Sequence, residues 1–155
     1  MVHLIHATSP EDLEQIRALL REYSEALGVD LSFQNFDEEL ASLPGDYAPP
    51  GGCLFLACIE KLAVGCVALR RIDNDVCEMK RLYVKPPFRR EGIGRKLALK
   101  LIEFARTAGY SRMLLDTLPP MKEATSLYRS LGFKETGPYR FNPVKGALFM
   151  ELQLK

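Results

Sequence analysis

Between Val76 and Gly109 the hydrophobic pattern changes period once, and this change constrains the fold more than any other feature of the chain. VCEMKRLYVK is β-prone and stops before Pro86-Pro87, where a strand cannot continue its ladder. Arg89-Arg90-Glu91-Gly92-Ile93-Gly94 follows, and helical spacing then begins. Ile93, Leu97, Ala98, Leu101, Ile102 and Ala105 share one face, with Arg95, Lys96, Lys100, Glu103 and Arg106 opposite. Gly109 ends this helix, and SRMLLDTL, with Met113-Leu114-Leu115 at its centre, reads as a strand in the middle of a sheet. Strand, glycine turn, helix and buried strand in direct succession call for a helix packed on a sheet.

The flanks extend the pattern within 155 residues, the usual size of one domain, and residues 1–155 are read as one. HLIHAT is a first strand. Ser9-Pro10-Glu11 begins a helix, with Ser9 as cap and Pro10 in the first position. Leu13, Ile16, Leu20, Tyr23 and Leu27 are its buried stripe, and Gly28 its stop. A short second helix is expected from Asn35 to Leu43. The turn-rich LPGDYAPPGG at 43–52 is a loop, too short to be an interdomain linker. CLFLACIE and LAVGCVALRR form a hairpin turning at Glu60-Lys61, and Asp73-Asn74-Asp75 turns into the next strand. PMKEATSLYRSLGF is a further amphipathic helix, with Pro120 near its start and Gly132 as its stop. The tail holds two strands around a Gly/Pro-containing connection. The order β-α-α-β-β-β-α-β-α-β-β predicts a mixed α/β (α+β) domain: one mostly antiparallel sheet of about seven strands flanked by about four helices.

Charge is distributed unevenly. Lys80 to Lys100 holds eight basic residues and one acid, so +7 sits there and about −6 elsewhere in a chain of net +1. A local positive site in an acidic body suits a small polyanion better than a nucleic-acid coat, and Tyr83 and Phe88 are the only aromatics in the basic stretch. MVHLIHATSPEDLEQ lacks a basic region followed by an apolar stretch, and no run approaches membrane-spanning length. A cytoplasmic protein without membrane or nucleic-acid partners is expected, open to homodimer formation. Cys53, Cys58, Cys66 and Cys77 lie in strand-like segments without a C-x-x-C pair, and read as buried free thiols rather than a metal or redox site. His3 and His6 have no cluster around them and read as structural, so no metal is expected.

A strand, a glycine turn and a helix start together form an anion site. The first helical N–H groups lack intrahelical partners, the macrodipole adds partial positive charge, and Gly92 and Gly94 permit close backbone approach. A lone G-x-G also begins helices entered through a flexible turn, so the glycines alone leave both readings open. A Walker loop is excluded because Gly-Lys-Ser/Thr occurs nowhere. The dinucleotide fingerprint is excluded because Leu97 stands where its third glycine belongs.

Arg89-Arg90-Glu91-Gly92-Ile93-Gly94 resembles the [Gln/Arg]-x-x-Gly-x-[Gly/Ala] loop of the GNAT superfamily of acyl-CoA-dependent N-acyltransferases. Ala124-Thr125-Ser126-Leu127-Tyr128-Arg129-Ser130-Leu131-Gly132-Phe133 resembles that family's Ala-x-x-Leu-Tyr-x-x-x-Gly-Phe feature. The resemblance implies a GNAT-like sheet and direct transfer of acetyl from acetyl-CoA to a primary amine of a small molecule or amino acid. Backbone amides from Arg89 through Arg95, namely Arg89, Arg90, Glu91, Gly92, Ile93, Gly94 and Arg95, would hold the pyrophosphate. Leu82, Tyr83 and Val84 would pair through their backbone with pantetheine, and an N–H there would face the thioester carbonyl. Tyr128 would donate to the departing thiolate, and Glu78 is the candidate base, with an ion pair to Lys80 or Arg81 as its structural alternative. Met121 stands where many members carry Asn, which removes that side-chain contact with the cofactor.

A base is needed because only about one alkyl amine in a thousand is unprotonated at neutral pH. The first helices, the 43–52 loop and the 137–146 connection would border the acceptor pocket. Asp37, Glu38, Glu39 and Asp46 there could attract a cation, and Arg81, Tyr139 and Arg140 could hold a carboxylate. A peptide or protein N-acetyltransferase and a non-catalytic acyl-CoA sensor are the rival readings.

Overall fold

The computed structural model describes residues 1–28 and 30–155. Its elements follow the expected order. The strands are β1 Val2–His6, β2 Cys53–Ile59, β3 Leu62–Arg71, β4 Val76–Val84, β5 Arg112–Thr117, β6 Lys134–Thr136 and β7 Leu148–Gln153. The helices are α1 Pro10–Leu27, α2 Phe36–Ser42, α3 Ile93–Thr107 and α4 Lys122–Ser130. α1 starts as its sequence predicts: Ser9 Oγ accepts the Asp12 N–H at 3.1 Å. It ends at Gly28 in the left-handed region, φ 63°.

The strands form one sheet in the order β1-β2-β3-β4-β5-β7-β6. Each neighbouring pair is antiparallel except β4 and β5. That exception is the pair joined through α3, because parallel strands need a crossover connection. β5 lies between β4 and β7, as its apolar sequence predicts.

Helices cover both faces. On one face α3 and α4 pack through Leu97, Leu101 and Tyr128 against Val67, Met79 and Leu82. On the other, α1 and α2 pack through Leu20, Phe36 and Leu40 against Leu56, Cys66 and Ala68. Each of the Leu, Val, Met and Phe side chains among them contributes about 1.5–3 kcal/mol of hydrophobic stabilisation when fully buried.

Two departures from a regular ladder shape the molecule's middle. Cys66 pairs with Tyr83 but Ala68 with Lys80, so β4 carries one extra residue there. That residue is Arg81, at φ 63°. The bulge puts two consecutive side chains, Lys80 and Arg81, on the α1/α2 side, while Met79 and Leu82 face α3. The second departure is where β4 and β5 separate. Their pairing ends at Glu78 and Leu114, leaving Leu82–Val84 without a ladder partner on that side.

Candidate active site

The gap between β4 and β5 opens into a groove of about 810 Å3. Leu82, Tyr83 and Val84 form its strand wall, and Ala124 and Leu127 of α4 stand opposite. Tyr23 of α1 reaches it from the other face of the sheet. Arg89, Arg90, Gly92, Ile93, Gly94 and Arg95 form its cationic mouth. Nine of the expected cofactor-contacting residues therefore line one space; Glu91 and Tyr128 do not.

The loop has the conformation its glycines suggest. Gly92 precedes α3 at φ 81° and Arg90 is also left-handed, at φ 67°. The first helical bond of α3 runs from the Lys96 N–H to the Gly92 carbonyl, 3.1 Å, so the amides of Ile93, Gly94 and Arg95 have no intrahelical acceptor. A Cβ on Gly94 would come 3.6 Å from Leu127 and 3.8 Å from Val84, both walls of the groove. The expected backbone contacts are partly taken. The Arg89 amide donates to the Pro86 carbonyl at 3.2 Å. Arg89 Nε donates to the Val84 carbonyl at 2.8 Å. Arg90 is open to solvent, and its nearest anion, Glu123, is 3.7 Å away. Met121, at the start of α4, makes no side-chain capping bond and lines the groove as an apolar residue.

Tyr128 is buried on the inner side of α4, its ring 5.7 Å from that of Phe133. Among the described residues its hydroxyl makes no hydrogen bond within the chain. Burial above all, then Tyr23 and Asp116 nearby, raises its pKa well above that of free tyrosine. Such a phenol donates a hydrogen bond without readily giving up the proton.

Glu78 is fully buried and does pair with cations, but not with Lys80 or Arg81. Arg70, its partner across the β3–β4 ladder, donates from Nε at 2.6 Å. The other carboxylate oxygen accepts from the Tyr139 hydroxyl and lies 3.5 Å from Arg140 Nε. Residues directly opposite across an antiparallel ladder approach more closely than residues two apart on one strand, which explains the choice. Arg140 also donates to both oxygens of Asp116 at 3.2 Å, and Asn142 to one of them at 3.0 Å. Arg81 is consumed elsewhere: its guanidinium donates to both oxygens of Glu39 at 2.9 Å and lies 4.9 Å from the centre of the Phe36 ring. Burial opposes ionisation of Glu39, yet Arg81 holds its carboxyl below the ordinary carboxylate range.

The expected acceptor borders meet in part, without α1. α2, the residues before it, the 43–52 loop and the 137–146 connection enclose a second pocket of about 530 Å3, with Arg70, Lys80 and Arg140 in its wall. Asp37, Arg81 and Tyr139 do not line it. The signal for Arg70 and Lys80 lay in strand alternation: 78 and 80 share a face, and a short turn brings residue 70 opposite 78.

Residues 13–133 match the profile of the Acetyltransferase (GNAT) family. An uncharacterized N-acetyltransferase of Schizosaccharomyces pombe is 42% identical over 147 residues, covering 94% of this chain and 90% of that one. The chain belongs to the GNAT acetyltransferase family. The GNAT fold is seen again in a GNAT-family acetyltransferase from Staphylococcus aureus, with a TM-score of 0.84 at 23% identity and full coverage of both chains. It recurs in the PaiA N-acetyltransferase of Thermoplasma acidophilum, solved in complex with coenzyme A, with a TM-score of 0.77 at 20% identity over 99% of each chain. In this GNAT chain, no group of three or more His, Cys, Asp or Glu among the described residues is placed to hold a metal ion. Nor is any described helix long and apolar enough to cross a membrane. All four cysteines are free and buried.

Proposed function

We propose that this GNAT acetyltransferase uses acetyl-CoA as donor and acetylates the primary amine of a small molecule or amino acid by direct attack in a ternary complex. The observation that carries the reading is the parting of β4 from β5 beside the open amides of α3. The groove so formed has apolar walls suited to a pantetheine chain. Its mouth offers the amides of Ile93, Gly94 and Arg95, with the side chains of Arg90 and Arg95, to phosphate oxygens. The backbone of Leu82–Val84 faces the chain in strand-like fashion.

Tyr128 hydrogen-bonds the sulfur as the carbon–sulfur bond breaks; its raised pKa makes it a donor first and an acid only as the thiolate forms. Glu78 is fully enclosed, and the half-buried Tyr139 donates its hydroxyl to it, so an amine proton passing to Glu78 would travel through that hydroxyl as it gives up its own inward. Burial above all, and then the adjacent Glu78 charge, raise the Tyr139 pKa, so this tyrosine relays a proton without resting as a phenolate. Four buried free thiols support a cytoplasmic setting.

The test is release of free coenzyme A thiol from acetyl-CoA in the presence of amines, amino acids and peptides. Thiol release dependent on a small amine is expected. Acetyl-CoA binding with no release from any acceptor would make the protein a sensor. Tyr128→Phe should lower kcat by about ten- to a hundredfold with little change in the KM for acetyl-CoA; an unchanged kcat would remove Tyr128 from the mechanism.

A further inference from the structure

The second pocket holds a cation, Lys80, that makes no hydrogen bond among the described residues. Around it, buried or half-buried, lie Arg70, Lys80, Arg81 and Arg140 against Glu39, Glu78 and Asp116. Each carboxylate has a hydrogen-bonded arginine: Glu39 takes Arg81, Glu78 takes Arg70, and Asp116 takes Arg140. Lys80 is left over. Its side chain is only 7% exposed and makes no hydrogen bond; its nearest carboxylate oxygen, on Glu39, is 3.9 Å away and already holds Arg81.

An ammonium on a side chain only 7% exposed, with none of its three donors hydrogen-bonded among the described residues, is costly. The deficit here opens onto space rather than onto core, because Lys80 lines the pocket. Two atoms of that wall are themselves buried without a hydrogen bond among the described residues. Arg140 Nε is a donor and Gln34 Oε1 an acceptor. Lys80, Arg140 Nε (3.5 Å from Glu78 but without a hydrogen bond) and Gln34 Oε1 in one pocket wall suit a molecule bearing both a carboxylate and an N–H group.

Resting on the acetyl-transfer reading above, we infer that this pocket takes an amino-acid acceptor whose carboxylate is anchored by Lys80, with Arg140 Nε as second donor. Lys80 is then a specificity-determining residue for the acceptor. An entering carboxylate neutralises the surplus charge and gives the ammonium its missing hydrogen bond. Burial, and then the neighbouring Arg81 charge, bring the Lys80 pKa down to about 7, and a carboxylate beside it would raise that value again. The two cations expected from sequence to serve this purpose are engaged, Arg81 by Glu39 and Arg140 mostly by Asp116.

The experiment measures thiol release from acetyl-CoA with the twenty amino acids, each beside its α-amide and its decarboxylated amine, for the wild-type chain and for Lys80→Met and Lys80→Arg. Wild type should use at least one free amino acid, with KM about ten- to a hundredfold higher for the amide and the amine. Lys80→Met should raise the KM for the free acid to the level of its amide, leave the amide's KM and that of acetyl-CoA unchanged, and so erase the preference. Lys80→Arg should keep most of it.

Equal use of acids and carboxylate-free amines by wild type would overturn the assignment while leaving acetyl transfer intact. So would a preference that survives in Lys80→Met. A fall in kcat shared equally by acid and amide would place Lys80 in proton transfer instead. Release from none of these compounds but from a peptide or another amine would overturn this inference alone; release from no acceptor of any class would sink acetyl transfer with it.

Discussion

At the scale of single residues, the polar centre is organised by what the β4 bulge does to two neighbouring side chains. A regular strand would send Lys80 and Arg81 to opposite faces; the extra residue sends both toward α2. Arg81, in a left-handed conformation that costs a non-glycine residue about 1 kcal/mol or more, is held by Glu39 and by the faces of Phe36 and Tyr23. Removing Glu39 leaves a 2%-exposed guanidinium uncompensated. Glu39→Ala should cost about 3–5 kcal/mol in urea unfolding at pH 7. The Glu39 pKa is depressed in the folded chain, so its contribution is present above the ordinary carboxylate pKa and lost as pH falls through the folded value. The gap between wild type and the variant should therefore close in acid.

Lys80 has the opposite sign. Its pKa falls to about 7 from 10.5, so between those values the unfolded chain binds the extra proton and stability rises with pH. Below about pH 7 the cost of burying the charge is complete; above 10.5 it is gone. Glu39, Glu78, Arg81 and Arg140 are the charges that face it, and none reaches hydrogen-bond distance. Lys80→Met should thus raise Tm at pH 6 and change it little at pH 10. A lower Tm at pH 6 would show that Lys80 is already well paired. None of this was legible from the residues alone, because a bulge leaves no mark in an apolar–polar alternation read one strand at a time.

At the scale of elements, the two glycines before α3 do different work. Gly92 has open space around it but a positive φ, so its requirement is conformational. Gly94 has ordinary helical geometry, and its missing side chain keeps the groove open between Val84 and Leu127. Gly94→Val should abolish coenzyme A binding in calorimetry while leaving circular dichroism and Tm close to wild type. Retained affinity would mean that residue 94 serves only the packing of the helix start. Here the sequence was informative: strand, Pro-Pro, basic turn and helical period all fall where the structure has them. What it lacked was the Arg89 contact to Val84, since a guanidinium folding back onto its own strand is indistinguishable in sequence from one waiting for a phosphate.

At the scale of the molecule, burial on both faces of one sheet governs the chemistry of the thiols. Burial pushes Cys53, Cys66 and Cys77 up to about 12, far from the thiolate form at neutral pH. A chromogenic disulfide reagent should titrate none of the four cysteines in the native chain and all four in denaturant. Rapid native labelling would show that the sheet opens more readily than this packing implies. The same inertness keeps the thiol-release assay free of background from the protein.

Sequence alone determined the elements, their order, the cationic mouth of the groove and the family resemblance, because each depends on neighbours along the chain: period, caps, turns and short motifs. Tertiary structure decided which charges meet. Arg70 reaches Glu78 through strand register, Arg81 reaches Glu39 through a bulge, and Arg140 reaches Asp116 across 24 residues of chain. Lys80 is left without a hydrogen bond because those three pairs occupy the carboxylates around it. Ion pairing depends on a few ångströms between distant segments, and a sequence pattern does not encode that distance locally.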